Sequence, residues 1–522
     1  MMKIQYKNIF ALSFVLLATA LTGCSESELD KVNRDNDHPQ DVTAEFILSD
    51  IETASAFSIA GGDLSTYASV YVEHETGTHN QLYNAQVREG EPSNSSTYNN
   101  SWLNVYSNIK NSRIVVEKSE AAGNDLLKGI GEVMLAYNSA ILTDLWGDVP
   151  YTEAAQLADP VIANLNPKID TQESIYATID ELLDAAIVDL QSSSLGKNPA
   201  AQDFIYNGSS SKWLKFAYGL KARYAMRRLA RSTDVNADLA AVIDYCDMSF
   251  ASADEQAEYA VYGSSNLNPL FDFEWSRDAI SASISMAHKL KADNDPRLNR
   301  VYYDPSSWAH QTIADGTTNF APIEPEGQTQ YTYTYSTYVF AQTAPTLLLS
   351  YHEVLFLKAE AQARLGLAEG KETLKAAVVA GMANSERSIE AAANAPTVVG
   401  YGGLAPNAPA ITTEQTETWF DADIAPLYDG DSDADPDPVK AVMVQKYVSQ
   451  WGASGEAIEA YNDIRRAKGM GEEYVELENT GALPLRFTYG SSDTTTNPNI
   501  KSVFGDGTYV YTNPVWWAGG ND

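Results

Sequence analysis

Two cysteines in 522 residues leave this chain little to crosslink with. Cys24 follows an apolar N-terminal run, and Cys246 stands alone in Val-Ile-Asp-Tyr-Cys. If Cys24 is engaged elsewhere, no intramolecular disulfide remains, and the chain must be held by its core. Cys246 is then expected to pack as a small apolar residue. Basic residues are also scarce: 35 Lys and Arg stand against 70 Asp and Glu, a formal charge of −35. That argues against nucleic acid and anionic lipid as partners, since both need patches of Lys and Arg. Catalytic signatures are missing too. There is no Gly-x-Ser-x-Gly elbow and no phosphate-binding glycine loop. His74 and His79 are five residues apart, where two zinc ligands on one helix face need four. Ser209-Ser210-Ser211-Lys212 meets Ser-x-x-Lys without an accompanying Lys-Thr-Gly, and reads as a helix N-cap before Trp213. A glycosidase needs only two carboxylates, so 70 acids leave that route open.

What is present begins at the N-terminus. Lys3 and Lys7 precede the apolar run Ile9 to Leu21, which closes on Leu21-Thr22-Gly23-Cys24. The run is short of the roughly 20 residues of a transmembrane helix and has the layout of a secretory signal. A Cys directly after Leu-Thr-Gly matches a bacterial lipobox. Residues 1–23 are therefore expected to be a lipoprotein signal peptide, with Cys24 the lipidated first residue of the mature chain. Residues 24–44 are polar and read as a flexible tether, and residues 45–522 as a single domain.

The domain reads as mostly α. In Thr171 to Leu190, Ile175, Ile179, Leu182, Leu183, Ala186, Ile187 and Leu190 recur at helical spacing. In Ser211 to Arg231, Trp213, Phe216, Ala217, Leu220 and Tyr224 do the same. Pro345 suits the first turn of a helix running through Glu353 to Leu365, which Gly366 would stop. Helices near 439–451 and 456–468 flank a break at Gly452-Ala453-Ser454-Gly455. Short helices joined by glycine turns predict a tetratricopeptide-like scaffold of helical hairpins, with degenerate repeats. Two loop-rich stretches, 251–344 and 386–437, are expected to form an irregular ligand-binding portion.

The aromatic residues are the more informative chemistry, with 30 Tyr and 9 Trp. Tyr83, Trp275, Trp308 and Trp419 fall in loop-like stretches, whereas Trp102 and Trp213 sit in helical patterns and read as structural. Tyr331, Tyr333 and Tyr335 alternate with Thr and would share one face of an extended strand. Rings on loops can stack on the apolar faces of sugars, so Tyr83, Trp275, Trp308, Tyr331, Tyr333 and Tyr335 are candidate substrate-binding residues, against a packing role for many of them. No catalytic residue and no cofactor is assigned. Asp429, Asp431 and Asp433 place oxygen ligands at alternate positions, as a structural calcium would require. An EF-hand would need Gly at 434 and Glu at 440; Ala434 and Lys440 favour a solvated acidic loop.

Six ordered strings resemble one family. They are Leu142 to Ala154 (LTDLWGDVPYTEA), Lys212 to Arg223, Asp295-Pro296-Arg297-Leu298, Glu353 to Ala361, the pair Gln445-Lys446-Tyr447 and Glu459 to Arg466, and Leu485-Arg486-Phe487. With the lipobox ahead of them they are similar to the SusD/RagB outer-membrane nutrient-binding lipoproteins of Bacteroidetes-type bacteria. The resemblance departs at Lys468-Gly469-Met470, which lacks the family's Pro, and at Asp493, which stands for its Glu. It implies a non-catalytic cell-surface lipoprotein, lipid-anchored in the outer membrane. Such a protein binds a nutrient glycan and delivers it to a SusC-like TonB-dependent transporter, as part of polysaccharide utilisation. A peptide ligand, a helical adaptor without small ligand, and a lipoprotein hydrolase are the rival expectations. Three physical expectations attach to the strings. Gly147 ends a helix in a left-handed conformation, Asp148 accepts backbone donors of that turn, and Arg465 and Arg466 make bidentate bonds to core carboxylates.

Overall fold

Helices form where apolar residues recur every third or fourth position and a capping group closes each end. In this computed structural model, residues 42–157, 164–304, 309–310, 319–401, 403–404, 408–430 and 435–521 are described. The signal peptide, Cys24 and all but the end of the tether lie outside the described residues, as do Trp308, Asp431 and Asp433. Among the described residues no helix is long and apolar enough to cross a membrane.

The helices pair in sequence. Asn99–Ala122 ends at Gly123, whose φ is +63°, and Asn124 starts Asp125–Trp146 by accepting the Leu127 N–H at 3.1 Å. That two-residue turn makes a hairpin. Gln172–Leu190 packs against Asp125–Trp146 and against Ser210–Arg227, and Val235–Met248 returns along the latter. Tyr351–Arg364 and Gly370–Ala393 form the next hairpin, and Pro438–Ser449 packs on both. Ala457–Gly469 then lies against Asp63–Tyr71. Strands are short and confined to two- and three-stranded sheets. The unit Ala44–Asp522 thus has the helical-hairpin scaffold the periodicity predicts.

Ion pairs buried in the core stitch the hairpins together. Arg223 on Ser210–Arg227 donates to both oxygens of Glu353, at 2.7 and 2.5 Å. Arg227 pairs with Glu459. Arg466 donates to both oxygens of Glu360 at 2.8 Å each, and Lys446 lies 2.7 Å from Asp463. Buried charges are costly to desolvate, so their contribution lies in fixing which helix faces which more than in net stability.

Several local expectations need correction. Arg466 makes its bidentate bond; Arg465 does not. Its guanidinium donates to the carbonyls of Leu485 and Asp144 at 3.0 and 2.8 Å and to Asn462, and it stacks between the rings of Tyr461 and Trp517. Pro345 is outside the helix it was expected to open. Thr346–Leu349 instead forms a strand with Ala257–Tyr259, and Ser350 caps the helix by accepting the Glu353 N–H at 3.1 Å. Four consecutive apolar or β-branched residues prefer a ladder between buried walls to a helix turn. Residues 386–393, expected to be loop, continue a helix to Ala393. Asp148 accepts the Gln172 N–H at 2.8 Å, at the start of the next helix and not within its own turn. Gly147 does take a positive φ of +79°, with ψ at −127°, outside the left-handed helical region. Ser209 occupies the N-cap position, where its hydroxyl pairs with Ser211 and makes no capping bond. Cys246 is buried in the main core, and burial pushes its thiol pKa up.

Candidate functional site

The sequence-selected aromatics fall into two groups. Trp102, Trp213 and Trp419 are buried; Trp419 lies on a short helix, Thr413–Trp419, and donates to the Asp293 carbonyl at 2.8 Å. Tyr83, Trp275, Tyr331, Tyr333 and Tyr335 fall where residues 75–86, 269–282 and 319–336 meet, and Trp308 lies outside the described residues.

The frame of this region is backbone. Glu75–Gly77 pairs antiparallel with Ile280–Ala282, and the Ala282 N–H donates to the Thr334 carbonyl at 2.8 Å. The helix Pro269–Arg277 is opened by Asn268, whose side chain accepts from Leu270 and Phe271, and is closed by Asp278 at φ +47°. Residues 323–331 are sewn across this frame. The Gln86 side chain donates to the Ile323 carbonyl at 2.7 Å, the Tyr83 hydroxyl to Pro325 at 3.4 Å and the Thr329 N–H to Thr78 at 2.9 Å. The Asn80 N–H donates to the Gln328 side chain at 2.9 Å and the Gln330 side chain to the Arg277 carbonyl at 2.7 Å.

On this frame Trp275 stands 37 % exposed. Its ring stacks on Phe271, one helical turn back, with centroids 5.4 Å apart and planes 15° from parallel. Tyr401, 68 % exposed, meets Trp275 at 5.6 Å with planes inclined 56°. Tyr331 is 74 % exposed, and Tyr83 and Tyr333 are half-buried. The frame therefore links Tyr83 and the 331–335 segment to the helix that carries Trp275, and Trp275 in turn meets Tyr401, which sequence reasoning missed. Its only sequence signal is an aromatic in the glycine-rich run Val399-Gly400-Tyr401-Gly402-Gly403.

The expected extended strand of three tyrosines is not formed. Only Tyr335–Ser336 is a strand, and Tyr331 has φ +53°. Period-two side-chain alternation fails once a residue leaves the extended region. Tyr335 is buried against Tyr303 and Phe340, and its hydroxyl donates to Asp278. It supports the region from below and offers no face to solvent.

Buried ionisable groups belong to the same frame. Glu75 is buried and accepts from Ser336 at 2.5 Å and from the Trp451 indole at 2.9 Å; burial pushes its pKa up to about 8. Glu274 is held well above the carboxylate range by burial and by the nearby Asp278. His74 is buried with its Nε2 donating to the Tyr447 carbonyl at 3.0 Å, and burial holds its pKa down to about 3, so it stays neutral. Of the calcium candidates only Asp429 is described, and its carboxylate takes the Lys371 ammonium at 2.7 Å. Among the described residues no group of three or more His, Cys, Asp or Glu could hold a metal ion.

Three larger concavities lie away from these rings. One, of about 440 Å³, is walled by Met443, Tyr447, Ile464, Leu477 and Leu483; a second, of about 660 Å³, by Tyr351, His352, Ala376 and Arg387; a third, of about 790 Å³, runs beside Trp102, Tyr106, Lys110 and Pro150. Volume favours them, whereas exposed flat rings favour the Trp275 region. A polymer ligand stacks on flat exposed rings, which the Trp275 region offers.

Known proteins agree with this architecture. The chain is similar to a SusD/RagB family protein of Bacteroides thetaiotaomicron: 45% identity, 92% of this chain, 100% of the other and a TM-score of 0.86. A chitin-binding protein shares the fold at 21% identity and a TM-score of 0.69, with 91% of this chain and 100% of that one covered. A SusD homolog from Bacteroides fragilis does so at 18% identity and a TM-score of 0.69, with the same coverage. No curated protein matches the sequence. A family model matches residues 39–489, so this chain belongs to the SusD-like family, described as starch-binding and associating with the outer membrane.

Proposed function

We propose that the protein captures a neutral glycan on the face formed by Trp275, Tyr401, Tyr331 and Tyr83, and passes it on chemically unchanged. The observation that carries this reading is the pair of exposed rings at 5.6 Å, one of them backed by a stacked Phe271. A ring held rigid by its neighbour loses little entropy when a sugar face settles on it, and aromatic contacts contribute about 0.5–1.5 kcal/mol beyond area. The family description and the chitin-binding neighbour make starch and chitin oligosaccharides the first probes. The same reading anchors the chain by lipid on Cys24 to the outer membrane, exposed at the cell surface, and assigns delivery to a SusC-like TonB-dependent transporter.

The test is affinity electrophoresis of the form starting after Cys24, through gels containing a panel of storage and cell-wall polysaccharides. Retardation by one class, with no reducing ends released, supports a binding protein and names its nutrient. Release of reducing ends would replace this reading with a hydrolase, and no retardation by any glycan would remove the glycan.

A further inference from the structure

Asp278 occupies an unusual place in the region just described. It ends the helix Pro269–Arg277 in a left-handed conformation, φ +47° and ψ +59°, with its N–H on the Glu274 carbonyl at 2.8 Å. Non-glycine residues take that conformation at a cost that Asp bears better than most. Asn80 and Tyr331, in the two segments packed beside it, are left-handed as well, at φ +47° and +53°. Three such residues in one neighbourhood mark a backbone held by its surroundings.

The turn directs the Asp278 side chain at the 331–335 segment. One carboxylate oxygen accepts the Tyr331 N–H at 2.5 Å, and the other accepts the Tyr335 hydroxyl. Tyr331 is among the most exposed large residues of the protein, while Asp278 beneath it is only 6% exposed. We propose that Asp278 is the positioning residue of the aromatic face: its single carboxylate locks the exposed Tyr331 and the supporting Tyr335 to the end of the helix that carries Trp275. This rests on the glycan-binding reading.

The groups facing that carboxylate define how it responds to pH. Glu274, on its own helix, accepts the Ala279 and Ile280 N–H groups at 3.1 and 3.2 Å, and burial raises its pKa. His79 lies on the 78–86 side, and Tyr331 and Tyr335 on the other. Burial raises the Asp278 pKa, against the bonds from Tyr335 and Tyr331 and the pull of His79. Protonation removes the charge that strengthens both bonds, so the Tyr331 tether weakens as pH falls.

The experiment compares wild type, Asp278→Asn, Tyr335→Phe and Trp275→Ala. Hydrogen exchange at the Tyr331 amide is measured, together with binding to soluble starch and to chitin oligosaccharides across acidic to neutral pH. Asp278→Asn keeps one acceptor oxygen and loses the charge. It should speed Tyr331 exchange roughly tenfold, weaken binding to whichever probe wild type holds by a similar factor, and flatten the pH profile. Tyr335→Phe should weaken binding less and keep the profile. Tyr331 exchange that matches wild type in Asp278→Asn, or a pH profile that persists in it, overturns the proposal; should that variant not fold, wild-type Tyr331 protection that does not fall towards acidic pH, after correction for the intrinsic exchange rate, does so. If Trp275→Ala leaves binding intact, the binding reading fails, and the exchange measurement still decides the role of Asp278.

Discussion

Replacing Gly147 by Ala tests the turn between the Leu142–Trp146 end of its helix and Asp148. The residue sits at φ +79°, ψ −127°, a region that an L side chain enters only at a cost of about 1–3 kcal/mol. An added Cβ would stand 2.8 Å from Nη1 of Arg486. That guanidinium donates to the carbonyls of Trp146, Asn513 and Pro514, at 3.3, 2.8 and 2.7 Å, so it cannot retreat without loosening one of these bonds. Loss of one charged hydrogen bond adds about 1.5 kcal/mol. The smaller entropy of the unfolded Ala chain returns roughly 0.4–1 kcal/mol. The net is a destabilisation of about 3 kcal/mol. Unfolding entropy of about 2 cal/mol/K per residue across Ala44–Asp522 comes to ~1 kcal/mol/K, so the melting temperature should fall by about 3 °C. Calorimetry of both proteins in one buffer gives the number. A shift under half a degree would refute the reasoning about this turn.

Other expectations follow from the buried charges. Glu360→Gln strips the charge facing Arg466 and Arg364 and should cost about 3–5 kcal/mol, read as a lower denaturation midpoint in urea. Arg466 and Arg364 hold the Glu360 pKa down to about 2, although burial opposes them. A depressed carboxyl stabilises the fold above its unfolded value of 4.5 and loses that contribution as pH falls towards 2, so an acid titration followed by circular dichroism should show stability falling in that window. Glu75 behaves oppositely. Its folded pKa of about 8 lies above the unfolded 4.5, so stability is lost as pH rises between them. Glu75→Gln keeps an acceptor for Ser336 and Trp451 and should raise stability at pH 8 by ~1–3 kcal/mol while changing little at pH 4.5; equal melting curves at pH 8 would show that Glu75 is not strained by its charge.

Much of the scaffold was legible because helical spacing is a local property. Ile175, Ile179, Leu183, Ala186 and Leu190 are buried on one face of a helix that starts after Thr171 and ends at Leu190. Gly366, expected to stop a helix, takes φ +66° one residue past the C-cap Leu365. Where sequence reading failed, long-range contacts decided. Thr346–Leu349 became a strand because Ala257–Tyr259 offered it a partner. Arg465 and Arg466 are identical neighbours in sequence, yet their partners come from different segments, 144 and 485 for one and 360 for the other. The three tyrosines of 331–335 do not share one strand face as their alternation predicts, because the residue that holds the segment, Asp278, lies 53 positions from Tyr331. Nothing local distinguishes it among 70 acids. Tyr401 was missed for a similar reason: its exposure and its contact with Trp275 are facts of folding.

Titration calorimetry asks whether the exposed ring pair binds glycan. The probe is whichever polysaccharide or oligosaccharide retards the wild type, titrated into wild type and into the Trp275→Ala, Tyr401→Ala double variant. Wild type should bind in the micromolar range, roughly −8 kcal/mol. The double variant should melt within a few degrees of wild type and bind at least tenfold more weakly, since truncating a central aromatic contact costs more than about 1 kcal/mol. Equal affinity in the two proteins would move the binding face away from these rings.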